Sequence, residues 1–200
     1  MGAVLLLVKF KGKQRLKNVY TEEKRRKLIL FLFKKILKVL EGFTIYVATP
    51  DDLPDNGFTV IRDEWGDINK VISKARRMVT GDLLILPSDL PFLERDDIDV
   101  VIGGEICIVP SQNGGTNALF LPQNTDFVTQ FGENSFEKHI KLLEEKNLEY
   151  KIYESDNFRD IDTEKDILWT LEHRKNSEFS KFVKEELITL NSSSKYTEKT

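Results

Sequence analysis

Two short segments carry the residues best suited to chemistry. Gly114-Gly115-Thr116-Asn117-Ala118-Leu119 and Phe131-Gly132-Glu133-Asn134-Ser135-Phe136 both set small, donor-rich residues at an element boundary. Unpaired main-chain N–H groups at such boundaries hold anions. Gly114 and Gly115 let the main chain approach a ligand, and Thr116 adds a hydroxyl donor. The plainer reading of the first segment is a hairpin turn at Asn113-Gly114-Gly115, and of the second an N-cap at Ser135. Carboxylates accompany both. Asp89 ends the apolar run Leu83-Leu84-Ile85-Leu86 within Ser88-Asp89-Leu90-Pro91. Asp160 and Asp162 flank Ile161 and share one side of the chain if that stretch is extended. Carboxylates placed beside anion cradles call for a cation, which points to phosphates held with divalent metal at Asp89, Asp160 and Asp162. A turn-capping Asp89 and a solvated acidic loop are the alternatives. Asp166, at cap-plus-three from Thr163, reads as half of a capping box.

Lys9, Lys13 and Arg15 follow the first apolar run, at the sheet edge where open α/β folds bind ligands. They could bind a triphosphate and stabilise departing pyrophosphate, or form a solvated basic loop. The loop has no Walker A pattern, so P-loop chemistry is excluded. His139 and His173 have no triad or metal spacing, although His139 lies one turn after Ser135. Cys107 is the only cysteine, which excludes an internal disulfide and a thiolate cluster, and its apolar surroundings suit packing better than nucleophilic attack.

The elements needed to position these groups alternate along the chain. Apolar strands at Ala3–Val8, Phe43–Ala48, Thr59–Ile61, Leu83–Leu86, Ile106–Val109, Ala118–Leu121 and Tyr150–Tyr153 are interleaved with helical periodicity. Thr21 is expected to cap a helix ending at Gly42, Ser135 a helix through Leu143, and Thr163 a helix through Leu171; further helices are expected at Asp67–Val79 and around Asp96–Ile102. This order favours an α/β fold with a mostly parallel sheet between two helical layers. Ser177–Leu190 can form an amphipathic helix, packed on the domain or on a second subunit, and residues 191–200 are polar enough to read as a flexible tail.

The 200 residues suffice for one domain with a substantial core. A net charge of −3 gives no general attraction to nucleic acid or acidic membranes, so neither is expected as a partner. The average conceals a basic stretch from Lys9 to Lys38 whose only acids are Glu22 and Glu23, which suits a small polyphosphate. No apolar run is long enough for a membrane span, and the cytoplasm is the expected compartment.

In this order, the pieces resemble the archaeal-type 2-phospho-L-lactate guanylyltransferases of coenzyme F-420 biosynthesis. The matching stretches are Val8-Lys9 through Lys13-Gln14-Arg15-Leu16, Gly66-Asp67-Ile68-Asn69, Leu84 through Pro91, Pro110-Ser111 through Leu119, Phe131-Gly132 through Ser135-Phe136 with His139, and Asp160-Ile161-Asp162-Thr163. They span roughly residues 3–171, assigning 1–174 to a nucleotidyltransferase domain, 175–190 to an appended helix and 191–200 to a tail. The resemblance implies a Rossmann-like, GT-A-like nucleotidyltransferase fold in three layers with a mixed sheet, and the use of GTP with Mg2+. It further implies that Thr116, Gly132 and Ser135 contact a phosphorylated three-carbon acid. Asp89, Asp160 and Asp162 would be metal ligands. Lys9, Lys13 and Arg15 would bind the triphosphate, with Asp89, Lys9 and Arg15 acting in catalysis and Asn69 helping to read the base. The implied reaction is GMP transfer from GTP to 2-phospho-L-lactate or a relative such as phosphoenolpyruvate, releasing pyrophosphate, with a homodimer left open. The alternatives are a nucleotidyltransferase of the sugar-phosphate or molybdenum-cofactor type, and a nucleotide-binding module without turnover.

Overall fold

The computed structural model describes residues 2–53 and 56–188. Seven strands form one sheet: β1 (Ala3–Leu7), β2 (Thr44–Thr49), β3 (Thr59–Arg62), β4 (Leu83–Pro87), β5 (Ile106–Pro110), β6 (Thr116–Leu121) and β7 (Tyr150–Ile152). Their spatial order is β3-β2-β1-β4-β6-β5-β7. β6 alone runs antiparallel to its neighbours β4 and β5; the other pairings are parallel. The helices are α1 (Glu22–Val39), α2 (Ile68–Met78), α3 (Arg95–Val101), α4 (Ser135–Glu145), α5 (Glu164–His173) and α6 (Glu178–Phe182).

Strand alternation divides the core. Val4, Leu6, Leu84 and Leu86 point to one face and pack with Phe33 and Ile36 of α1 and Ile98 and Val101 of α3. Ala3, Leu5, Leu83 and Ile85 point to the other and pack with Val71, Ile72 and Ala75 of α2 and Leu143 of α4. Because both faces are covered, β4 can be apolar at every position from Leu83 to Leu86, as central parallel strands are. The three-layer α/β arrangement is the one expected from the sequence.

Caps set several element ends. Thr21 Oγ1 accepts from the Lys24 amide, and Asp67 accepts from the Asn69 amide. Thr163 and Asp166 form the reciprocal box at α5. One capping expectation is corrected: Ser135 is the first residue of α4, and Asn134, left-handed at φ 52°, is its N-cap. The Ser135 hydroxyl is thereby released for a contact with Thr116. A second correction concerns the Ser177–Leu190 helix. α6 is short and passes into a π-helical turn at Val183–Leu187, while residues 189–200, including the expected tail, lie outside the described residues. Phe179, Val183 and Leu187 are buried against Leu28 and Leu32 of α1 and Ile167 of α5. The apolar face is therefore used within the chain. Among the described residues, no helix is long and apolar enough to cross a membrane.

Candidate active site

The parallel register of β1 and β4 pairs Leu7 with Pro87, so the chain leaves both strands at the same edge. The Ser88 amide donates to the Leu7 carbonyl at 3.0 Å, placing Lys9 and Asp89 on neighbouring exits. Beyond Lys9 the chain turns tightly at Gly12, whose amide donates to the Lys9 carbonyl; a Cβ there would lie 2.7 Å from that same oxygen. Only glycine fits without moving backbone. The turn delivers Lys13, left-handed at φ 58°, into the interior.

The second acidic segment, residues 160–162, arrives from the far end of the chain. The Ile161 amide donates to the Asp89 carbonyl at 3.2 Å, and the fully buried Ile161 side chain anchors the stretch. Asp166 then fixes the approach to α5, accepting from the amides of Asp162 and Thr163 at 3.1 and 2.8 Å. These bonds hold the stretch that carries Asp160 and Asp162 against Asp89.

A lysine occupies the middle of this cluster. The Lys13 ammonium donates to Asp89, and to Asp162 Oδ1 at 2.8 Å. Burial pulls the Lys13 pKa down, but the charges of Asp89 and Asp162 more than reverse it, so it stands above its ordinary value and the group is a cation at neutral pH. Burial, followed by the charge of Asp89 and then of Asp162, raises the Asp160 pKa against an opposing hydrogen bond from Asn117. The Asn117 amide holds Asp160 Oδ1 at 3.0 Å and the Phe158 carbonyl at 2.8 Å, so Asn117 is a brace. Asp89 Oδ1 is buried and has no hydrogen-bond partner. Carboxylate outnumbers ammonium here, and one buried oxygen is unsatisfied.

Two cavities of about 510 Å3 each adjoin this cluster. Lys9, Lys13, Pro50, Asp63, Ser88 and Asp89 contribute to the first. Arg15, Ser111, Thr116, Asn117, Ser135 and Asp160 contribute to the second. Phe131, Gly132 and Asp162 line both and so form the boundary between them.

The glycine-rich turn and the start of α4 meet in the second cavity. Ser111 Oγ accepts from the Gly115 amide at 2.8 Å, and Gly114 adopts φ 75° to close the hairpin. The Phe136 amide donates to the Gly114 carbonyl at 3.2 Å, so one N–H of the α4 terminus is already used to join the two segments. Ser135 Oγ lies 3.1 Å from Thr116 Oγ1, which in turn is 3.0 Å from Nδ1 of the fully buried His139. Burial lowers the His139 pKa to about 4, so the ring is neutral at physiological pH.

Sequence reasoning locates Lys9, Lys13, Asp89, Asp160, Asp162, Thr116, Gly132 and Ser135, and the fold brings them to these two cavities. Three positions differ from expectation. Asn69 lines neither cavity: its amide accepts from the Phe131 N–H at 2.8 Å and donates to the Phe131 carbonyl at 3.0 Å, clamping the boundary loop. Arg15 is exposed and lies on the second cavity, 3.9 Å from Asp162, not beside the remaining basic residues of the first. Lys13 is engaged by the acids rather than projecting freely into a triphosphate site. No partner spacing marks His139 in the sequence; its position one turn after Ser135 is the available signal.

The family described as guanylyl transferase CofC-like matches residues 1–199. The chain belongs to that family. The match extends well past the 3–171 span read from motifs, so the C-terminal segment has a family counterpart. The 2-phospho-L-lactate guanylyltransferase of Methanosphaerula palustris is 33% identical over 170 residues, covering 80% of this chain and 79% of that one. The enzyme of the same name from Methanobrevibacter smithii is 26% identical over 206 residues, covering 94% and 92%. Solved structures agree on the fold. A protein from Desulfovibrio desulfuricans assigned as a nucleotide-diphospho-sugar transferase superposes with a TM-score of 0.73 at 17% identity, covering 88% of this chain and 89% of that one. A 2-C-methyl-D-erythritol 4-phosphate cytidylyltransferase from Thermus thermophilus gives 0.52 at 11% identity, covering 87% and 98%.

Proposed function

We propose that this CofC-like guanylyl transferase moves GMP from GTP to 2-phospho-L-lactate or a close three-carbon analogue such as phosphoenolpyruvate. Pyrophosphate is the second product. The carrying observation is the pair of adjoining cavities with an acid cluster at their boundary. Each volume lies within the range of small-molecule sites. In this reading the nucleotide occupies the first cavity beside Lys9 and Lys13, and the phosphorylated acid the second beside Arg15, Thr116, Gly132 and Ser135.

The residue inventory suits that chemistry. A phosphomonoester has a second pKa near 6, so the acceptor is largely a dianion at neutral pH and needs no general base. A neutral, buried His139 is consistent with this. One acceptor phosphate oxygen attacks the α-phosphorus; the bond from that phosphorus to the bridging oxygen breaks, and pyrophosphate leaves with the electron pair. The obstacle is repulsion between two anions, which positioning and positive charge must overcome. Lys9 and Arg15 supply charge from opposite cavities, and Lys13 fixes Asp89 and Asp162 between them.

The residues fit a magnesium ion. Asp89 has an unsatisfied buried oxygen, and burial together with the charge of Asp89 raises the Asp160 pKa. Among the described residues, no three acids or imidazoles form a ready-made cage. Magnesium does not require one, since one or two carboxylates plus substrate phosphates and water usually suffice. Asp89, with Asp160 and Asp162, would hold it, and a bound ion would neutralise phosphate charge and orient the nucleotide.

Incubating the protein with GTP, magnesium and each three-carbon acid in turn tests the reading. Release of pyrophosphate with 2-phospho-L-lactate or phosphoenolpyruvate, and a guanylylated product by mass spectrometry, is expected. Silence with every acid would overturn it, and preference for CTP or ATP would overturn the base assignment.

A further inference from the structure

The buried trio of His139, Thr116 and Ser135 has a direction built into it. Nε2 of His139 receives the Gln130 main-chain N–H at 2.8 Å. An amide N–H can only donate, so this nitrogen carries the lone pair. In a neutral ring the hydrogen then resides on Nδ1, and Nδ1 must donate to Thr116 Oγ1, 3.0 Å away. The ring cannot turn to change this, being packed against Phe127 and Phe131 with centroids 5.7 and 5.0 Å away.

Thr116 and Ser135 share one further hydrogen bond, at 3.1 Å. Whichever hydroxyl donates to the other, one hydroxyl hydrogen is left over, because His139 has already supplied the hydrogen that Thr116 accepts. Both residues are almost wholly buried, and both line the second cavity. Among the described residues neither hydroxyl has a further hydrogen-bond partner, which leaves the spare hydrogen for a group in that cavity. We propose that His139 is a positioning residue: by donating to Thr116 instead of accepting from it, His139 leaves one hydroxyl hydrogen of the Thr116–Ser135 pair for an oxyanion in the second cavity. This deepens the proposed transfer reaction and rests on it: the oxyanion is a carboxylate or phosphate oxygen of the phosphorylated acid.

The effect is on binding the acid, not on the nucleotide. Thr116→Val keeps the shape and removes the hydroxyl that His139 orients, and it should raise KM for the acid about tenfold with KM for GTP unchanged. His139→Leu should do the same, while His139→Asn, whose side-chain amide can reach Thr116, should stay within about threefold of wild type. In His139→Leu the added Thr116→Val change should cost little more, since both act through the oriented Thr116 hydroxyl.

The wild-type protein provides the test that does not depend on any variant folding. Nitrogen-15 NMR of the His139 ring should show a protonated Nδ1 and a bare Nε2 at neutral pH. Adding 2-phospho-L-lactate or phosphoenolpyruvate without nucleotide should shift the Nδ1 signal. A protonated Nε2, or no response to an acid that binds by calorimetry, would overturn the inference even if the enzyme turns over. Wild type that never releases pyrophosphate but shows this tautomer and this shift would sink the transfer reaction and leave the donor assignment standing. Equal KM losses for acid and GTP in His139→Leu would reduce His139 to a packing residue.

Discussion

Replacing Lys13 with methionine preserves the bulk of the side chain and deletes the ammonium between Asp89 and Asp162. The Lys13 side chain is 7% exposed, Asp89 19% and Asp162 37%. Removing one partner of a buried ion pair costs ~3–5 kcal/mol, because a charge is left uncompensated. Exposed pairs are worth at most about 1 kcal/mol, and Asp162 is open enough for water to screen much of its share. Weighing the two gives a loss of ~2–3 kcal/mol in metal-free protein. At ~2–4 °C per kcal/mol for a chain of this size, Tm should fall by roughly 5–10 °C. Magnesium should then restore more stability to the variant than it adds to wild type, because the competing ammonium is gone. A tenfold gain in metal affinity adds ~1.4 kcal/mol at saturation. Thermal unfolding followed by circular dichroism, in chelator and in magnesium, measures both quantities. A variant as stable as wild type in chelator, or an equal magnesium effect on the two proteins, would refute the view that Lys13 holds together acids that otherwise repel.

Further tests probe the surrounding residues. Asp89→Asn should lower kcat by ~10²–10³ while the protein stays folded by circular dichroism, since charge at the reacting phosphates is the main stabilising device. Asn69→Ala removes two hydrogen bonds to Phe131 at ~0.5–1.5 kcal/mol each, and because Gly132 borders both cavities, KM should rise for both substrates. The preference for GTP over ATP should not change; a change would restore Asn69 to base reading. Stability should also report His139. Its folded pKa of about 4 lies below an unfolded value near 6.5, so the unfolded chain holds the extra proton between them and stability falls as pH drops through that window. The loss approaches ~3 kcal/mol by the lower limit and is absent in His139→Leu, as denaturant melts of both proteins across the window would show. Identical slopes for the two proteins would refute the buried, neutral assignment.

Most of the fold is legible in the sequence because its signals are local. Continuous apolar runs such as Leu83–Leu86 mark central strands, and caps such as Thr21 and Thr163 mark helix starts. The strand order is not legible: nothing in residues 116–121 announces that β6 inserts antiparallel between β4 and β5. The site residues can be located because their types and spacing are unusual, but their partners cannot. That Lys13 lies between Asp89 and Asp162 depends on contacts across 76 and 149 residues of chain. Base reading by Asn69 is implied by the family resemblance alone, and its amide bonds to Phe131, a residue 62 positions away, are not legible in the sequence. Ser135 shows the same limit at shorter range. Its type suits an N-cap, but the left-handed Asn134 takes that position and frees the hydroxyl for Thr116.

A crystal structure with a non-hydrolysable GTP analogue, magnesium and 2-phospho-L-lactate tests the arrangement most directly. The nucleotide should lie in the cavity bordered by Lys9 and Ser88, and the acid against Thr116 and Ser135. Their phosphoryl groups should meet beside Asp89 and Asp162. Both ligands crowded into one cavity, or an acid bound elsewhere with those aspartates turned to bulk water, would contradict the account.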